Sequence, residues 1–181
     1  MANIFFASDH HYNHANILTF KRDDGTPLRD FKSVQHMNEH MISCHNSVVG
    51  PKDKVYFLGD VSLGHTASSL DFLERMNGEK VLIKGNHDLC TANQYLKHFK
   101  DIRGSHQFDG MILTHIPIHP ESMSRWNLNV HGHLHYHVVR RVSHIPDNRY
   151  FNVSMERINY TPISLEQVKK HGKNKPVPTK M

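Results

Sequence analysis

Five times along this chain a short apolar or β-branched run ends in a cluster of Asp, His or Asn, and that recurrence narrows the folds open to it. Asp9-His10-His11 follows IFFAS, Gly59-Asp60 follows VYFL, and Gly85-Asn86-His87-Asp88 follows VLIK. Thr114-His115 follows MIL, and Gly132-His133-Leu134-His135 follows LNVH. Binding residues gather where the strands of helix-flanked sheets end and loops begin. A fold that sets five strand ends on one rim would bring these groups to one place. The glycines before Asp60, Asn86 and His133 would let the backbone turn sharply as it leaves each strand.

The remainder of the chain fits an alternation of short strands and amphipathic stretches, which predicts an α/β or α+β protein. Strands are expected over Asn3–Ala7, Val55–Leu58, Val81–Ile83, Met111–Thr114, Leu128–His131, Val138–Val142 and Tyr150–Val153. A helix is expected from about Ser33 to Val48, with Val34, Met37, Met41, Cys44 and Val48 on one stripe. Others are expected over Ala67–Met76, Asn93–Phe99 and from Ser164, where Ser164 with Gln167 makes a capping box. Lys21–Asp30, with Asp-Asp-Gly and a proline, reads as a loop.

Asp9, His11, Asp60, Asn86, His115, His133 and His135 make seven potential ligands of mixed nitrogen and oxygen type. That exceeds one tetrahedral zinc, and the sulfurs of a structural zinc site are missing. It suits two cations sharing a carboxylate. Imidazole with carboxylate and amide oxygen favours manganese, iron, zinc or nickel over magnesium or calcium.

The order D-x-H, G-D, G-N-H-D, H, G-H-x-H, running from Ile4 to His135, resembles the calcineurin-like metallophosphoesterase superfamily. FFASDHHYNHANI and NVSMERINYTPISLEQV resemble its small stand-alone members, in which an acid stands where Glu156 does. The resemblance implies a four-layer α/β/β/α sandwich of two mixed sheets flanked by helices. It implies two divalent transition metals, manganese first, with iron, zinc or nickel as alternatives. Asp9, His11 and His135 would hold the first metal, Asn86, His115 and His133 the second, and Asp60 both. Hydroxide between the metals would attack phosphorus, His87 would act as acid at the leaving group, and Asp88 would orient His87. One departure is plain. Larger phosphatases carry G-D-x-x-D-R, whereas this chain reads Gly59-Asp60-Val61-Ser62-Leu63-Gly64. Without that arginine clamp, phosphate contact falls to His14, Arg125 or His119, and a protein phosphatase is disfavoured. The expected reaction is hydrolysis of phosphodiesters of nucleotide type. Phosphomonoesters and a nucleic-acid polymer are the alternative substrates.

Position decides which of the 18 histidines count. His10, between two ligands, should point away into packing. His36 and His40 fall opposite the apolar stripe and read as a solvated face. His45, His65, His98, His106, His144 and His171 lack any partner pattern and are expected at the surface. Trp126 could stack on a base, or anchor the core or a lid. The formal charge of +5 comes largely from Lys169, Lys170, Lys173, Lys175 and Lys180. Residues 169–181 therefore read as a basic flexible tail after a domain over 1–168, and the basic balance supports nucleic-acid binding only weakly. No apolar run suits a membrane helix, no secretory signal is evident, and two cysteines cannot build a disulfide framework. A cytoplasmic enzyme of undetermined oligomeric state is expected.

Overall fold

The computed structural model describes residues 2–142 and 144–173. Its strands are Ile4–Ala7 (β1), Lys54–Phe57 (β2), Glu79–Ile83 (β3), Asp101–Arg103 (β4), Ser105–Phe108 (β5) and Met111–Thr114 (β6). They continue with Leu128–His131 (β7), Arg140–Val142 (β8), Ile145–Pro146 (β9), Tyr150–Asn152 (β10) and Ile163–Ser164 (β11). The α-helices are Val34–Val48 (α1), Ala92–Tyr95 (α2) and Leu165–Lys173 (α3).

The strands form two mixed sheets and a separate hairpin. The first sheet runs β11-β1-β2-β3-β4, parallel except for β11; the second runs β10-β7-β6-β5, parallel except for β5; β8 pairs with β9. The chain is thus α+β. Alternation along the first sheet divides its side chains between two cores. Phe5, Ala7, Val55, Phe57 and Leu82 face α1 and the segment Ala67–Arg75. Phe6, Tyr56, Leu58, Val81 and Ile83 face Met111, Leu113, Leu128 and Val130 of the second sheet. Burial on both faces explains why these strands read as unbroken apolar runs.

The fourth layer differs from expectation. The outer face of the second sheet, at Ile112 and Tyr150, is covered by a six-residue 3₁₀ turn, Pro120–Arg125, with Ile118 and Trp126 packed beside it. Trp126 therefore serves packing. Ala67–Arg75 is also 3₁₀ rather than α. Ser62 Oγ donates to the Ser69 carbonyl at 2.8 Å, diverting an acceptor that an α-helix would use. Leu70 and Leu73, three apart, both reach the core, as a 3₁₀ repeat allows.

In α1 the buried residues are Met37, Met41, Ile42 and His45, while Val48 is exposed. The buried stripe is rotated from the expected one, and His45 is not at the surface. Its Nε2 meets the Asn77 carbonyl at 2.9 Å and its ring stacks on Phe57, so burial leaves that nitrogen satisfied. The capping box before α3 forms: Gln167 N–H donates to Ser164 Oγ and Ser164 N–H to Gln167 Oε1. The helix passes the boundary drawn after Val168 and reaches Lys173, with Lys169 paired to Asp109 at 2.5 Å. The rest of the predicted tail, 174–181, lies outside the described residues.

Candidate metal centre

All five clusters leave the carboxyl ends of β1, β2, β3, β6 and β7, and a sixth strand end, after β10, joins them. The two sheets meet there. Ser8, just past β1, pairs with Ser154, just past β10, through Ser8 N–H to Val153 O at 3.0 Å and Met155 N–H to Ser8 O at 3.1 Å. Backbone pairing continues from β1 to β2 beyond the strands, His11 N–H donating to Asp60 O at 3.0 Å. These bonds fix the loops that carry the donors.

Two groups result. The donor atoms of Asp9, His11 and His135 lie within 4.8 Å of one another, as do those of Asp60, His115 and His133. Asp60 stands between the groups: its Oδ2 is 3.3 Å from His115 Nε2 and 3.7 Å from His11 Nε2. Asn86 Oδ1 lies 2.9 Å from His115 Nε2 and 3.0 Å from His133 Nδ1, on the second group. The structure thus collects all seven predicted donors. Asp9 is anchored by the His133 N–H at 2.9 Å and Ser154 Oγ at 2.9 Å.

The donors fit cations. Both ring nitrogens of His11 are buried without a hydrogen-bond partner among the described residues, a costly arrangement unless something is coordinated there. The carboxylates and imidazoles of the two groups set one another's charge. Burial raises Asp60, but the hydrogen bond and charge of His115, with the His87 N–H, outweigh it and hold the carboxylate at about 2. Burial lowers His115, yet Asp60 and Asp9 push it up to about 9. Burial and then Arg29 depress His11 to about 3, leaving a neutral imidazole ready to ligate.

The glycines act differently from one another. Gly59 has φ +87°, a true left-handed turn. Gly85 and Gly132 are needed for close approach: a Cβ on Gly85 would lie 2.3 Å from Asp60 Oδ1, and one on Gly132 1.9 Å from Ser8 Oγ.

Five predicted residues need separate treatment. His87 is exposed, its ring 5.6 Å from that of His11, and its N–H donates to Asp60 Oδ1 at 2.8 Å. Asp88 does not orient it. The Asp88 carboxylate accepts the backbone N–H groups of Asp60, Val61 and Gly85 at 3.0, 2.9 and 2.8 Å, so it ties the β2 loop to the β3 loop. Arg125 stands apart from the donors among the described residues. It is exposed, and no hydrogen bond, ion pair or ring contact among the described residues joins it to the seven donors. The packing of Met123 and Trp126 on the outer face of the second sheet holds its turn there. His14 does join the site, its ring 5.4 Å from that of His11 and edge-on to Phe20. His10 is buried between Tyr12 and Phe57, as expected from its place between two ligands.

Sequence reasoning missed Ser8, Arg29 and Ser154, and noted Glu156 only as an acid. A signal for Ser154 and Glu156 exists: NVSME leaves a strand as the other clusters do. Nothing local marks Arg29, which sits in a polar loop.

The fold and site define an α+β protein with two mixed sheets whose strand ends present two His/Asp groups able to hold metal ions. The chain belongs to the family of the uncharacterized protein MJ1445 of Methanocaldococcus jannaschii: the two are 35% identical over 175 residues, 94% of this chain and 91% of that one. It is also 28% identical over 174 residues to the Gene 66 protein of Mycobacterium phage D29, covering 77% of this chain and 82% of that protein. The crystal structure of the protein of unknown function AQ665 from Aquifex aeolicus shares the fold, with a TM-score of 0.68 at 24% identity over 94% of this chain and 99% of that one. No protein-family model matches the chain. Among the described residues, no helix is long and apolar enough to cross a membrane.

Proposed function

We propose that this chain is a binuclear metal-dependent phosphoesterase of the calcineurin-like kind its motifs resemble, acting on phosphodiesters with a nucleotide-type leaving group. The observation that carries the reading is Asp60, with one carboxylate oxygen set between His11 of one donor group and His115 of the other. A shared carboxylate between two mixed nitrogen and oxygen sets is what a pair of transition-metal cations requires. Asp9, His11 and His135 would hold one cation, Asn86, His115 and His133 the other, with manganese the expected metal. Bound there, the cations would polarise the phosphoryl oxygens and lower the pKa of water toward neutrality.

The chain's own residues do the rest. Asp60 stays ionised and immobile because the His87 N–H, His115 and His11 surround it. The His87 ring, exposed above His11, can deliver a proton to a departing oxygen. His14 stands next to His11 with its ring part-exposed, placed to contact a phosphate oxygen or the leaving group. The amide of Asn86 contributes an oxygen without adding charge, which keeps the rim open to an anionic substrate.

Purified protein loaded with manganese should bind two equivalents and hydrolyse bis-nitrophenyl phosphate faster than the mononitrophenyl ester. Asp60→Asn should lose affinity for both cations. Full turnover after exhaustive chelation, with metal content measured as nil, would sink the reading.

A further inference from the structure

Arg29 lies in the loop between the Ala15–Thr19 turn and α1, yet it is 1% exposed. Its guanidinium spends its donors on the candidate centre. Nε donates to Glu156 Oε1 at 2.7 Å, Nη1 to the His10 carbonyl at 2.7 Å, and Nη2 to the Asp9 carbonyl. Those carbonyls belong to the turn in which Asp9 and His11 hold φ of 56° and 51°. Glu156, its side chain fully buried, in turn meets His135 Nδ1 at 3.1 Å. One buried ion pair therefore touches Asp9 through its backbone carbonyl and His135 through its ring, and it holds the carbonyl of His10, the residue just before His11. The same loop grips the residue after His135 as well. Asp23 N–H donates to the Tyr136 hydroxyl at 2.9 Å, and that hydroxyl donates to Asp23 Oδ1 at 2.6 Å.

A buried ion pair is weak grounds for stability, since apolar residues of similar volume often serve as well. Its location explains it better. We propose that Arg29 and Glu156 are positioning residues for the first cation, with Glu156 fixing the tautomer of His135 and Arg29 holding the Asp9–His11 turn in its left-handed form. A neutral imidazole has one donor and one acceptor nitrogen. With Nδ1–H given to the Glu156 carboxylate, Nε2 alone is left to ligate. Glu156 suits that role because the same carboxylate oxygen that faces His135 is held in place by Arg29 Nε at 2.7 Å. In the second donor group the partner is a neutral backbone acceptor instead of an ion pair. His115 Nδ1 meets only the Leu58 carbonyl, at 2.7 Å.

The inference rests on the cation-binding reading above. The test is titration of metal-free protein with manganese, followed by calorimetry and metal analysis. The proteins are wild type, Glu156→Gln, and the double variant Arg29→Met with Glu156→Leu, which removes both buried charges together. Asp9→Asn and His133→Gln mark the affinities of the first and second groups. Both Glu156 variants should lose about 10–100-fold in the affinity that Asp9→Asn abolishes. The affinity that His133→Gln abolishes should stay unchanged. Folded variants that bind both cations as wild type does overturn the proposal. A measurement on unaltered protein decides the matter if the variants fail to fold: nitrogen NMR of the histidines in zinc-loaded wild type should show His135 protonated at Nδ1 and coordinated through Nε2. The opposite tautomer overturns the proposal. Wild type that binds no cation removes the parent reading, a result distinct from two-cation binding that ignores Glu156.

Discussion

Five of the seven proposed donors, Asp9, His11, Asp60, His133 and His135, have positive φ between 50° and 69°. For residues other than glycine this backbone region costs about 1–2 kcal/mol each, and it persists only where the surroundings over-determine it. The Arg29 and Asp88 side chains, with the Ser8–Ser154 pairing, supply that determination. His87 escapes it, being exposed with its ring free to meet a substrate. If His87 protonates the leaving oxygen, His87→Ala should lose about 10²–10⁴-fold in kcat on a nucleotide diester. It should lose far less on a bis-nitrophenyl diester, whose leaving group departs unaided. Cation binding should remain, because Asn86 is the proposed donor on that loop. Equal losses on both substrates would remove the acid role and leave the cation assignment standing.

At the scale of elements, the loops matter through how tightly they approach. Gly132→Ala would set a Cβ 2.3 Å from Asp9 Oδ2 as well as against Ser8. Both are held, so the β7 loop must retreat from β1. The cost should be about 1–3 kcal/mol of stability, read by urea unfolding, with first-cation affinity reduced more than second. Unchanged stability and affinity would show that the close approach has slack. Helix α1 yields a pH prediction. Burial depresses His45 from 6.5 to about 4, its bond to Asn77 opposing this only in part. The unfolded chain therefore binds a proton that the folded chain refuses between those values. Stability from this group is complete above pH 6.5 and lost as pH falls toward 4. The slope it adds is at most about 1.4 kcal/mol per pH unit. Urea midpoints measured across that range should flatten in His45→Gln, which keeps a donor for the Asn77 carbonyl. A slope identical to wild type would mean that His45 does not titrate on unfolding.

For the whole molecule, the decisive fact is that two sheets are sewn together at one end. Ser8 and Ser154 join β1 to β10, and His133 N–H, past β7, reaches Asp9 Oδ2, past β1, at 2.9 Å. Donors from both sheets then converge, and cations held between them would clamp the sheets. Added manganese should raise Tm, since each cation stabilises the native state by about 2.7 kcal/mol when its free concentration is 100 times Kd. Differential scanning calorimetry with and without chelator checks it. A midpoint indifferent to manganese means that no cation binds the native state.

Much of this was legible in the residues. Strand ends at Ala7, Phe57, Ile83, Thr114 and His131 follow from apolar runs closed by polar or glycine-rich segments, and the donor set follows from what stands next. Capping at Ser164 is equally local, since it depends on hydrogen bonds within one turn. What the sequence left open depends on partners distant in the chain. Asp88 looks like a companion of His87 because the two are adjacent, yet its oxygens are claimed by amides 27 and 28 residues away. His45 looks like a surface residue until Asn77 and Phe57 surround it. Arg29 is one charge in a polar loop until folding sets it against Glu156, 127 residues on. By itself the sequence determined which side chains are offered at each strand end, because strand propensity and loop chemistry act over a few residues. Only the tertiary structure decided which of them gather into the two donor groups, which brace the backbone and which pack, because burial and hydrogen-bond partners exist only once the two sheets have closed.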